Sequence, residues 1–113
     1  MFDIGRILKV GGSRSYDSNT PAKDNSYVID INVPYGNAPT VTQTSNNLTL
    51  ERVMHNSTVL PNGEVLVTGG LDHAETFTDV GAALTAELYN PSTNSWRTVA
   101  GMVTPRTYHS VAI

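Results

Sequence analysis

Apolar and polar residues alternate over short stretches of this chain, and glycine, proline or asparagine interrupts them at short intervals. Residues 27–31 (Tyr27-Val28-Ile29-Asp30-Ile31) alternate in the manner of a half-buried strand. Residues 64–68 (Glu64-Val65-Leu66-Val67-Thr68) are apolar almost throughout, as in a strand covered on both faces. The same reading predicts strands at 6–10, 55–60, 85–89 and 95–99, and a looser one within 33–44. Pro61-Asn62-Gly63 reads as a hairpin turn, with Asn-Gly supplying positive φ, and residues 90–94 as a second turn. The best helical stretch is 80–88, but Gly81 near its start and Tyr89-Asn90-Pro91 after it fit a loop followed by a strand equally well. With 12 Val and 14 Thr favouring a pleated surface, the fold class predicted is all-β.

An internal repeat organises these strands. Gly5-Arg6-Ile7-Leu8-Lys9-Val10-Gly11-Gly12 is echoed 58 residues later by Gly63-Glu64-Val65-Leu66-Val67-Thr68-Gly69-Gly70. Arg52-Val53-Met54-His55 is echoed 54 residues later by Arg106-Thr107-Tyr108-His109. Both units have a strand ending in Gly-Gly and then a long loop, and the second adds a strand before the first of these and places Tyr89 and Trp96 across a hairpin. That is the pattern of a kelch-type β-propeller blade. Residues 1–47 then form a first unit lacking its first strand, residues 48–101 a second, and residues 102–113 the first strand of a third.

Charge and composition narrow the function. Seven basic against ten acidic residues leave −3, which removes the electrostatic case for binding nucleic acid. No apolar run is long enough to span a bilayer as a helix, so no membrane partner is expected. Met1-Phe2-Asp3-Ile4-Gly5-Arg6 does not read as a signal peptide. The chain has no cysteine, which excludes disulfides, thiolate metal sites and cysteine nucleophiles within it. His73 with Asp72 and Glu75 superficially resembles a metal cluster but reads better as a solvated loop. Asn47-Leu48-Thr49 and Asn56-Ser57-Thr58 are glycosylation sequons that matter only in a eukaryotic secretory route.

Gly5 to Gly12 followed by Ser13-Arg14-Ser15-Tyr16, then Arg52-x-x-His55, Val59-Leu60-Pro61-Asn62-Gly63 and Pro105-Arg106-Thr107-Tyr108-His109-Ser110, resembles the galactose oxidase and glyoxal oxidase family. These are secreted copper-radical oxidases with a kelch propeller, of which this chain would cover about two blades. The resemblance implies that Tyr108 and His109 are copper ligands, that Tyr108 is also the catalytic base for the substrate hydroxyl, and that Phe77 lies against substrate. It implies extracellular localisation for a parent protein, and a small alcohol, aldehyde or carbohydrate as ligand. Arg52, His55 and Arg106 read as structural, the arginines tying blades through backbone carbonyls. The family cross-links a tyrosine to a cysteine to form its radical, so this cysteine-free chain is expected to be inactive alone and to hold no copper tightly.

Adjacent residues on a regular strand face opposite ways, so Tyr108 and His109 can share a metal only where the strand is irregular, as after Pro105. Because blades bury their faces against each other, incomplete sets are expected to self-associate head to tail. A trimer is favoured, with a tetramer as the other closure. Two functions compete with the oxidase reading: a non-catalytic kelch module binding carbohydrate or protein on its loop-rich face, and a purely structural propeller fragment.

Overall fold

The Leu60-Pro61-Asn62-Gly63 segment closes on itself, with the Gly63 amide donating to the Leu60 carbonyl (2.9 Å) and the Leu60 amide to Glu64 (2.8 Å). Gly63 takes φ +84° while Asn62 does not enter the left-handed region, so one glycine sets the hairpin's bulge. In the computed structural model, which describes residues 1–16 and 19–112, such turns join nine strands and no helix. They are β1 (Arg6–Val10), β2 (Thr20–Pro21), β3 (Ser26–Asp30), β4 (Thr40–Gln43), β5 (Asn56–Val59), β6 (Val65–Thr68), β7 (His73–Ala74), β8 (Thr85–Asn90) and β9 (Ser95–Gly101).

The strands form antiparallel sheets ordered β1-β3-β4 and β5-β6-β8-β9, and a small ribbon β2-β7 links the loop of one unit to that of the next. These are incomplete kelch blades: β1, β3 and β4 are counterparts of β6, β8 and β9. Leu8 faces Val28 in the first sheet as Leu66 faces Leu88 in the second. The repeat read from the sequence is therefore one of topology as well as residues. Within these residues the first sheet has no counterpart of β5, leaving an edge of β1 unpaired.

The core lies between the two sheets. Val28 from the first unit and Leu48 from the link that follows it meet Val65, Val67, Tyr89 and Trp96 from the second, with Phe2, Leu8 and Val10 packed around them. Burying each such side chain contributes roughly 1.5–3 kcal/mol. Tyr89 and Trp96 are direct cross-strand partners with ring centroids 5.3 Å apart, and Phe2 meets Tyr89 edge-on at 5.7 Å. Polar bonds then fix the sheets relative to each other. The Trp96 indole donates to the Ser26 hydroxyl (2.7 Å), which also pairs with Thr44 (2.7 Å). Asn46 brackets the Trp96 backbone, accepting from its amide (2.8 Å) and donating to its carbonyl (3.0 Å).

Two segments sharpen the sequence expectation and a third, 102–112, differs from it. Residues 33–39 turn, with Gly36 at φ +88° and the Asn37 amide on the Pro34 carbonyl, so β4 starts only at Thr40. Residues 80–84 are loop, because Gly81 at φ +75° sits where any side chain would strike Asp72. Residues 102–112 form turn and coil rather than the first strand of a third unit; Ile113 lies outside the described residues. A strand exists only where a neighbour completes its ladder, and here the segment touches β5 through Asn56 and Ser110 (2.7 Å) without pairing.

Trp96→Phe should cost about 1–3 kcal/mol in urea unfolding, from the lost donor and a poorly filled volume. Ser26→Ala should cost about as much or less, and the double variant should fall short of the sum, because both remove one bond.

Candidate functional site

The two Gly-Gly pairs and the two arginines make one repeated joint. The Gly12 amide donates to the Arg52 carbonyl and the Gly70 amide to the Arg106 carbonyl, each at 2.8 Å. A Cβ on Gly11 or Gly69 would collide with these same carbonyls, and both residues have positive φ, +47° and +69°. Glycine is required there because one backbone lies directly on another. Chain that enters a blade is thus hooked to the blade before it.

The Arg52 side chain goes the other way, into its own blade. It is fully buried, and its guanidinium donates to the carbonyls of Gly69 (3.1 Å) and Thr85 (2.9 Å) and pairs with Glu87 (2.7 Å). Glu87, also fully buried, accepts from the amides of Thr49 (2.6 Å) and Leu50 (3.5 Å). Burial pulls the Arg52 pKa below its ordinary value and the Glu87 charge pushes it back. The sequence reading has this arginine tying neighbouring blades through carbonyls, whereas both carbonyls its side chain meets lie in its own unit. The carboxylate was not anticipated, although a lone acid in the apolar strand Ala86-Glu87-Leu88-Tyr89 is itself a sign of a buried counter-charge.

His55 lies beside this pair. Its Nδ1 and the Arg52 Nε are buried without a partner among the described residues. Burial, aided by the Arg52 charge, lowers the His55 pKa to about 4, so the ring is neutral near pH 7. His73 is the opposite case: hydrogen bonds to Asp72 and to Glu75 (3.1 Å) raise its pKa. Both carboxylates are more than half exposed, which makes this a solvated loop cluster. Among the described residues no group of three or more His, Cys, Asp or Glu is placed to hold a metal.

Phe77, Tyr108 and His109 meet at one place. Pro105 and a turn at residues 108–109 interrupt extended backbone, and His109 takes φ +59°. This irregularity lets adjacent side chains project to the same side. The Tyr108 and His109 rings stack, with centroids 3.7 Å apart and planes within 25°. Phe77, itself at φ +60° and 89% exposed, presents its ring edge-on to Tyr108 at 5.3 Å. The loop carrying Phe77 leans on the same segment through Thr107 and Asp79 (3.5 Å). Arg106 and His109 are exposed, while His55 is neither exposed nor close to this trio by any ring contact. A phenol and an imidazole on one side of a turn fit the N/O preference of Cu(II), as part of a donor set.

The fold and this turn are those of a kelch propeller segment, and comparison with known proteins agrees. The kelch motif family matches residues 54–103. Two galactose oxidase sequences from Gibberella zeae are each 33% identical over an alignment that spans all of this chain and 17% of theirs. The solved structure of a fungal alcohol oxidase, described as having catalytic diversity among the AA5 family and being in complex with copper, superposes with a TM-score of 0.90. It is 31% identical, with 98% of this chain and 23% of that one covered. The chain is therefore a homologue of galactose oxidase, spanning about a sixth of the length of those curated relatives.

Because unfolded His55 binds its proton near pH 6.5 and folded His55 only near 4, stability should fall as pH drops through that window. The loss should approach ~3 kcal/mol below pH 4 and flatten in His55→Gln, read by urea unfolding against pH. His73 should act with the opposite sign, its small contribution vanishing as pH rises through its raised pKa, and His73→Gln should remove that dependence.

Proposed function

We propose that this chain builds part of the active-site face of a copper-radical oxidase, which oxidises primary alcohols or aldehydes with O2 and yields H2O2. The observation that carries the reading is the convergence of Phe77, Tyr108 and His109 at a turn that breaks strand alternation. Tyr108 Oη and a His109 ring nitrogen are the metal ligands this chain offers. Bound copper, with a tyrosine–cysteine cross-link that a cysteine-free chain cannot form, supplies the one-electron steps of the oxidation.

The remaining work falls to the residues themselves. Tyr108 Oη takes the proton of the substrate hydroxyl. Ring stacking and the turn restrict both side chains and keep the His109 imidazole against the Tyr108 ring. Phe77, exposed and edge-on to Tyr108, gives a substrate carbon skeleton an apolar surface. Activity belongs to the complete propeller, secreted as the family resemblance implies, and the 113 residues alone are inactive. Exposure of Phe77 also favours a second reading, a kelch module that stacks a sugar ring without catalysis.

Isothermal titration with Cu(II) distinguishes the two. The chain should bind copper weakly, and Tyr108→Phe and His109→Ala should each lower the affinity about tenfold or more. A peroxide-coupled assay with copper and galactose, glycerol or methylglyoxal should show no sustained turnover from these residues. Copper binding that neither substitution changes would remove the oxidase assignment.

A further inference from the structure

Two glycosylation sequons, Asn47-Leu48-Thr49 and Asn56-Ser57-Thr58, take no part in the proposed site, and the fold treats them differently. Asn47 lies in the link between β4 and β5. Leu48 turns into the core at 4% exposure, while Asn47 and Thr49 on either side of it are exposed. Both flanking units already hold this link, so the exposure is not that of an unfinished edge. The Leu48 amide donates to the Asp24 carbonyl (2.9 Å) in the first unit, and the Ser45 amide to the Asn94 carbonyl (2.8 Å) in the second. The Asn47 side chain makes two exposed bonds, donating to Asp24 Oδ2 (3.0 Å) and accepting from Gln43 Nε2 (3.3 Å). Asn56, by contrast, is the first residue of β5 and pairs with Thr68 of β6. Alternation leaves Ser57 exposed and turns Asn56 and Thr58, the acceptor amide and the hydroxyl of this sequon, to the more covered face. There Asn56 Nδ2 donates to Ser110 Oγ at 2.7 Å.

We infer that Asn47 carries an N-linked glycan when the chain passes through a eukaryotic secretory route, and that Asn56 carries none in the folded protein. This rests on the secretion included in the proposed function and is independent of the copper chemistry. The glycan donor is a lipid-linked oligosaccharide pyrophosphate. Asn47 Nδ2 bonds to C1 of its first N-acetylglucosamine, the bond from C1 to the pyrophosphate oxygen breaks, and the lipid pyrophosphate leaves as Nδ2 gives up one proton. An asparagine amide has two N–H groups, so the product keeps one, enough to retain the bond to Asp24. A glycan is bulky and hydrated and needs open solvent around its root. The link at Asn47 offers that space. On Asn56 the glycan would displace Ser110 from a half-buried position beside the β5–β6 ladder, losing a hydrogen bond and stranding polar atoms.

Expression behind a host leader peptide in a eukaryotic secretory host tests this whatever the natural location of the protein, so the secretion reading and the glycan assignment fail separately. Peptide mass spectrometry of the secreted 113-residue chain, after endoglycosidase trimming, should find a single residual N-acetylglucosamine, on Asn47. Asn47→Gln should abolish it and Asn56→Gln should leave it in place. A glycan on Asn56 of the secreted chain, or none on Asn47, would overturn the inference. A second measurement needs no such host. Because the chain has no cysteine, Asn47→Cys and Asn56→Cys each create a single thiol. In native buffer a maleimide carrying a glycan-sized polymer should modify the thiol at position 47 about tenfold faster or more than that at 56, and in urea both should react alike. Equal rates in native buffer would count against the placement of the two sequons.

Discussion

A backbone amide of a glycine pair donating to an arginine carbonyl is the contact on which the rest of this structure depends. Blades with two apolar faces have no use for an independent core; each needs a neighbour set at a fixed distance and angle. The Gly11-Gly12 and Gly69-Gly70 joints set that distance at its minimum, backbone against backbone, where no side chain fits. Once the joint closes, Val28 and Leu48 are brought to Val65, Val67, Tyr89 and Trp96, and a shared core forms.

Polar groups make that core specific. Hydrophobic faces alone tolerate sliding, but Trp96 has a donor that Ser26 meets, and Asn46 holds the Trp96 backbone in one register. Arg52 and Glu87 act similarly inside the second blade. A buried ion pair adds little net stability over an apolar substitute, but leaving either member unpaired is expensive. That asymmetry couples the entering chain, the Gly-Gly carbonyl and strand β8, since all three must be in place for the guanidinium to be satisfied.

The candidate site arises where this regularity stops. Residues 105–109 are the second instance of a segment that in its first instance, 51–55, leads into β5 and buries a neutral histidine. In the second instance the segment turns, so a phenol and an imidazole stack on one side and a loop from the same blade adds an aromatic ring. Propellers concentrate function on such loop-bearing faces because the strands beneath supply rigidity while the loops are free to vary. One repeated segment is thus architectural in its first copy, and in its second it gathers aromatic rings at a turn.

Periodicity and repetition made the strands legible: β1 falls at the residues expected, and β3, β5, β6, β8 and β9 fall within a residue or two. These elements rest on local preference and on alternation, both of which one chain carries. The trio Phe77, Tyr108 and His109 was legible only by resemblance, since 31 residues separate Phe77 from Tyr108 and nothing local says that they touch. The partners of Arg52 and the seat of Trp96 on Ser26 were decided by tertiary structure alone. Each joins residues far apart in the chain, 35 positions for Arg52 and Glu87 and 70 for Ser26 and Trp96. Such pairs are selected by which side chains two docked sheets bring face to face. That choice exists only after the backbones have met.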